Sequence, residues 1–127
     1  MTEIRHPDIE IYVKNCTPDA ISHWLAEQAD SISAVSSKGQ NHQLVLTFAN
    51  QQVPVMIQEK VAGKAWTSVW FKKNETPWLT DLSCARNASE GLETQIRCIA
   101  SGWNDGDDPD EYWKVENGSE EKIQWRT

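Results

Sequence analysis

Three sets of side chains in this 127-residue chain are of types that do chemistry or recognition: a cysteine at a helix start, a surplus of tryptophan, and a run of carboxylates. Cys16 stands directly before Thr17-Pro18-Asp19. There the threonine hydroxyl can accept from the first free helical N–H groups, proline suits the first helical position, and aspartate complements the positive dipole end. A thiol beside that end, two residues from Lys14, is expected to have a lowered pKa and more thiolate. A catalytic thiol also needs an oriented base, and nothing near it in the sequence supplies one. Cys16 is therefore the candidate reactive thiol, with an inert thiol as the alternative. Cys84 and Cys98 read as small apolar core residues.

Tryptophan occurs seven times. Trp66 and Trp70 fall on one face of a strand whose other face carries Val69 and Phe71, so both faces must be covered or used. Either one face packs on helices and the other on a second layer, or the indoles line a ligand pocket or a dimer face, where tryptophan is a frequent anchor. Trp66, Trp70, Trp103, Trp113 and Arg86 are the candidate ligand or interface residues. Arg86, on a helix with Asp81, Asn87 and Glu90, either solvates an exposed face or clamps a ligand.

The acidity is local. Eight of the 19 acids and one of the 12 bases lie within residues 104–121, so that segment carries the whole net charge of −7. Asp105, Asp107, Asp108 and Asp110 form an acidic loop suited to docking a basic protein. It does not spell a calcium-binding EF-hand, because Pro109 and Asp110 occupy positions that need an oxygen ligand and a glycine. His6, His23 and His42 show no zinc spacing, and the three cysteines include no CxxC pair, so no metal site and no cofactor is expected. The chain lacks a nucleophile elbow, a phosphate-binding loop, a dinucleotide fingerprint and an HExxH motif. With no basic stripe, nucleic acid is not an expected partner.

These residues must be positioned by an α+β domain spanning 1–127. Ile9, Ile11 and Val13 alternate as a half-buried strand. A helix follows from Thr17-Pro18 to about Asp30, burying Ile21, Trp24 and Leu25. Three strands come next, over 32–36, around Leu44–Phe48, and around Val53–Ile57. Pro54 places the last of these at a sheet edge or a bulge. Trp66–Lys72 is the aromatic strand. Thr76-Pro77 reads as a second helix start, with Gly91 as a left-handed C-cap. Strands are expected over 95–101, 112–115 and 123–125. A three-residue loop, Glu116-Asn117-Gly118, would set Trp113, Val115, Ile123 and Trp125 on one face, whereas a two-residue Asn117-Gly118 turn would divide them. The first is preferred.

The resulting order, β-α-β-β-β-β-α-β-β-β, divides into two βαβββ halves, 9–60 and 66–126, each with a Thr-Pro dipeptide. It resembles the vicinal oxygen chelate architecture of glyoxalases and drug-sequestering proteins. That family's metal ligands are His, Glu or Gln on strands of both units. Trp66–Lys72 has none of these, so the resemblance implies a metal-free small-molecule-binding relative. Two helices on one face of a single curved antiparallel sheet would explain the same pattern.

The functional expectation is a non-catalytic binding or protein-interaction module with an aromatic-lined surface or pocket. The alternative is a small enzyme with a cleft between the halves, using Cys16 or a histidine. A homodimer, a basic protein or a small apolar ligand are the partners to consider. No apolar stretch of membrane-spanning length exists, and no secretory signal opens the sequence. With free cysteines, this points to the cytoplasm.

Overall fold

A computed structural model describes residues 8–61, 63–100 and 111–125. In chain order the elements are β1 (Ile9–Lys14), α1 (Pro18–Gln28), β2 (Ser31–Ile32), β3 (Ser36–Lys38), β4 (Asn41–Phe48), β5 (Gln51–Glu59), β6 (Trp66–Phe71), α2 (Asp81–Leu92), β7 (Ile96–Ile99), β8 (Glu111–Glu116) and β9 (Ser119–Gln124). The expected α+β class and element order hold. All nine strands join one antiparallel sheet in the order β2-β4-β5-β6-β1-β7-β8-β9, with β3 also on β4. This is the single-sheet arrangement. The opening strands of the two halves, β1 and β6, pair antiparallel at its centre.

Strand alternation gives the sheet two different faces. Ile9, Ile11, Val13, Leu44, Leu46, Val53, Val55, Ile57, Val69, Phe71, Ile96 and Val115 lie on one face and share a buried core with α1 and α2. The helices meet through Trp24 of α1, whose indole stacks on Trp78 at 5.7 Å and donates to Asn87 Oδ1 at 3.0 Å.

Several local expectations are corrected. Thr17 caps α1 by accepting from Ala20 N–H, but Thr76-Pro77 starts no helix. Thr76 is buried, and its hydroxyl is held by Asn74 Oδ1 and the Trp78 carbonyl. The cap of α2 is Thr80, so the repeated dipeptide does not mark a repeated element. Gly91 is helical, and the left-handed residue after α2 is Glu93, with φ 54°. A Cβ at Gly91 would lie 2.6 Å from the Trp24 ring, so glycine is there to let α1 approach.

Pro54 lies in an interior strand. Val45, opposite it, turns its N–H and C=O toward Ser33, so Pro54 faces β6. It meets that strand just past its end, where only the Pro54 carbonyl is used, by Lys72 N–H. No ladder bond needs the missing donor. The strand expected over 32–36 divides into β2 and β3. Three residues (33–35) oppose two (44–45), a bulge in which Ser33 Oγ accepts the Val45 N–H.

The last hairpin uses the two-residue turn, with Asn117 and Gly118 at φ 52° and 80°. Trp113 and Val115 therefore face the helices, while Ile123 and Trp125 face the opposite side. The three-residue loop is overturned. Positive φ at both turn positions is what an Asn-Gly pair supplies at low cost.

Candidate binding face

No helix covers the second face of the sheet among the described residues. Tyr12 of β1, Trp66 of β6, Arg97 of β7 and Tyr112 of β8 project from it, and Trp125 joins them from just beyond β9. Three strands separate β6 from β9. On a flat sheet that is about 19 Å, from a spacing of about 4.8 Å per strand. The rings of Trp66 and Trp125 are nonetheless 4.9 Å apart. The side chains at the two ends of this span therefore converge over β1, β7 and β8. Between them β1 and β7 pair at Tyr12–Arg97 and Val13–Ile96, and the Lys14 N–H donates to the Gln95 carbonyl at 3.1 Å. Beyond that pairing the Glu10 N–H turns to Asp81 Oδ2 at 3.4 Å.

Trp125 is the hub. Tyr12 and Tyr112 meet it edge to face at 5.2 and 5.1 Å. The Arg97 guanidinium carbon lies 4.5 Å from the Trp66 ring and 4.7 Å from the Trp125 ring. With the rings 4.9 Å apart, the three form a nearly equilateral triangle. Arg97 thus rests in a notch between two indoles rather than being sandwiched by them. Cation–π attraction is strongest over indole and when the cation is partly desolvated. Burial pulls the Arg97 pKa below its ordinary value.

Gln95 fixes the guanidinium, its Oε1 accepting from Arg97 Nε at 2.9 Å. Tyr12 O–H donates to Glu10 Oε1 at 3.0 Å. Desolvation, then that bond in the opposite sense, then the charges of Asp81 and Asp8 act on Glu10, and the net effect raises its pKa. Desolvation, with Glu10 beside it, also raises the pKa of Tyr12.

The residues proposed from sequence distribute unevenly around this face. Trp66 is central to the cluster and 8% exposed. Trp70 is on the same face but outside the cluster, donating its N–H to Asp8 Oδ2 at 2.8 Å with the Lys72 ammonium 5.5 Å from its ring. Trp113 is on the helix side, with Lys122 over its ring at 5.3 Å. Arg86 is also there, donating from Nε and Nη2 to the Glu120 carboxylate at 2.6 and 3.1 Å. It borders a cleft of about 470 Å³ lined also by Glu90, Glu93, Asn117 and Gly118.

Cys16 is half-buried, and desolvation raises its pKa. This is opposite in direction to the lowering expected from the helix end, and its cause is loss of water around the thiol. Trp103, Asp105, Asp107, Asp108 and Asp110 lie outside the described residues.

Sequence reasoning passed over Tyr12, Tyr112, Arg97 and Trp125 as a group. The two tyrosines and Arg97 share the parity of Trp66 through the ladder, but pairing order cannot be read from one strand at a time. It also passed over a relay on the β3–β4–β5 edge. Ser37 Oγ is 2.7 Å from His42 Nδ1, and His42 Nε2 is 2.9 Å from Glu59 Oε2. Among the described residues, no group of three or more His, Cys, Asp or Glu converges on a metal position. No helix there is long and apolar enough to cross a membrane. Comparison with protein-family models, curated proteins and solved structures finds no match to this chain.

Proposed function

We propose that this chain is a non-catalytic binding module whose recognition surface is the helix-free face of the sheet. The observation carrying this reading is the placement of Arg97 in the notch between Trp66 and Trp125, flanked by Tyr12 and Tyr112. Aromatic rings offer large, rigid contact area at low entropic cost, and a held cation adds orientation. Ile99, Tyr112 and Ile123 lie side by side across β7, β8 and β9 on the same face and extend it as an apolar strip, with Ile99 38% exposed.

A fragment screen read by indole N–H resonances tests this. Compounds that bind should move the signals of Trp66 and Trp125 and leave those of Trp24 and Trp78, which are sealed in the helix-side core. A diverse library in which no compound moves Trp66 or Trp125 would overturn it.

A second reading draws on the Ser37–His42–Glu59 relay, which has the nucleophile–base–carboxylate order of an acyl-transfer site. An activated aryl ester tests it. Turnover abolished by Ser37→Ala would support it, and a rate equal to buffer would dismiss it. We rank it second because Ser37 is an exposed residue of a three-residue edge strand, whereas preorganised catalysis needs a water-excluded setting.

A further inference from the structure

We infer that the helix-free face takes a carboxylate carried on a planar apolar molecule, with the Arg97 guanidinium as the group that receives it. This rests on the reading of that face as the recognition surface and specifies its ligand chemistry.

The polar groups of this face are asymmetrically satisfied. Its carboxylates are engaged: Glu10 accepts from Tyr12 O–H at 3.0 Å, Glu116 from Gln95 Nε2 at 3.4 Å, and Glu121 pairs with Lys114 at 3.3 Å. Lys114 is thereby engaged, but two other cations of the face are not. Arg97 donates only from Nε, to Gln95, and neither of its terminal nitrogens bonds or pairs with a described residue. The Lys14 ammonium, on the same face two residues from Tyr12, likewise has no ion pair among the described residues. In a chain with 19 acids and 12 bases, an aromatic-braced arginine without an acid partner among the described residues is out of keeping with its surroundings. Among the described residues, what this arginine lacks is an acceptor for its terminal nitrogens.

The geometry narrows the acceptor. A guanidinium fixed at Nε and resting on two rings presents its remaining N–H groups as a preset fork, which matches the two oxygens of a carboxylate. Being partly desolvated, it forms stronger charge-assisted bonds than an exposed one. The ring cluster beside it favours a flat ligand body, which can stack or meet ring edges. Glu10, Glu116 and Glu121 lie around the site and disfavour a multiply charged anion such as phosphate, while a single carboxylate balances Arg97.

The experiment is calorimetric titration of the intact chain with 2-naphthoate and with 2-naphthamide, which share a ring system and differ in charge. The acid should bind at least about tenfold more tightly, the scale of one charge-assisted hydrogen bond, and inorganic phosphate should not displace it. Arg97→Gln should reduce the acid to the level of the amide, with Arg97→Lys between, and far-UV circular dichroism verifies the folding of both variants. Equal affinity for acid and amide in the wild-type chain overturns the carboxylate inference and leaves the face a binding surface. Displacement by phosphate overturns it in favour of a general anion site. Binding of neither naphthalene overturns the inference, and the fragment screen on Trp66 and Trp125 separately decides the reading beneath it. The wild-type comparison decides the matter even if an Arg97 variant fails to fold.

Discussion

Replacing Gly91 with alanine sets two effects of known size against each other. Gly91 is inside α2, where alanine is favoured over glycine by about 1 kcal/mol through backbone entropy. On propensity alone the variant should be more stable. The new Cβ, however, would stand 2.6 Å from Trp24 Cδ1 and 2.8 Å from Nε1, where ordinary contact begins at 3.4 Å. The indole cannot yield cheaply. It is 3% exposed, stacked on Trp78, and tethered to Asn87. Overpacking of this kind costs about 1–3 kcal/mol, and a fixed ring on a neighbouring helix puts the cost toward the upper end. The net expectation is a loss of about 1–2 kcal/mol, or roughly 3–8 °C in Tm for a chain of this size. Urea denaturation followed by far-UV circular dichroism measures it. Glu93→Gly is the internal contrast, since the left-handed φ there should make that change stabilising by up to about 1 kcal/mol. A Gly91→Ala variant as stable as the parent would show that α1 does not approach α2 in the way described.

Other expectations follow from the same contacts. Glu10→Gln should stabilise the protein at neutral pH, with the gain vanishing as pH falls below the ordinary carboxyl pKa. A carboxyl whose folded pKa is raised binds more protons folded than unfolded, so its contribution worsens as pH rises through that window. Denaturation midpoints across pH 3–7 that run parallel for parent and variant would contradict this. Gly118→Ala should cost about 1 kcal/mol through the left-handed turn position alone, because nothing lies within 4 Å of the added carbon. Cys16 should react with a thiol reagent more slowly at neutral pH than a small free thiol, with half-maximal reactivity displaced upward. Faster labelling would restore the reactive-thiol idea, and because Cys84 and Cys98 are fully buried, the fast phase would report on Cys16.

The elements of this chain were readable because their cues are local. Ile9, Ile11 and Val13 alternate, and Thr17-Pro18 caps a helix by the chemistry that its sequence states. The mistakes arose where a local cue was outvoted by distant partners. Thr76-Pro77 has the composition of a helix start, but packing Trp78 beneath Phe48 and Phe71 holds that segment as a buried turn. Gly91 has the look of a cap, yet its lack of a side chain serves Trp24, which lies 67 positions earlier. Pro54 signals an edge only if its N–H side faces a continuing strand, and β6 ends one residue short of it. The candidate site was half legible. Trp66 declared itself by type and parity, while Trp125 was assigned to the wrong face, because one residue in the length of a turn inverts every side chain beyond it. Arg97 carried no sequence signal at all. Its significance comes from the strand pairing that gathers Trp66, Trp125, Tyr12 and Tyr112 around it.

The central claim is that recognition belongs to the helix-free sheet face and not to the helix-side cleft beside Arg86. Chemical-shift mapping with an aromatic ligand, including the Nε–Hε signals of both arginines, separates the two. The account predicts shifts gathered on Tyr12, Arg97, Tyr112 and Trp125, with Arg86 and the Asn117-Gly118 turn unmoved. Shifts gathered on Arg86, Glu93 and Asn117, with Arg97 silent, would contradict it.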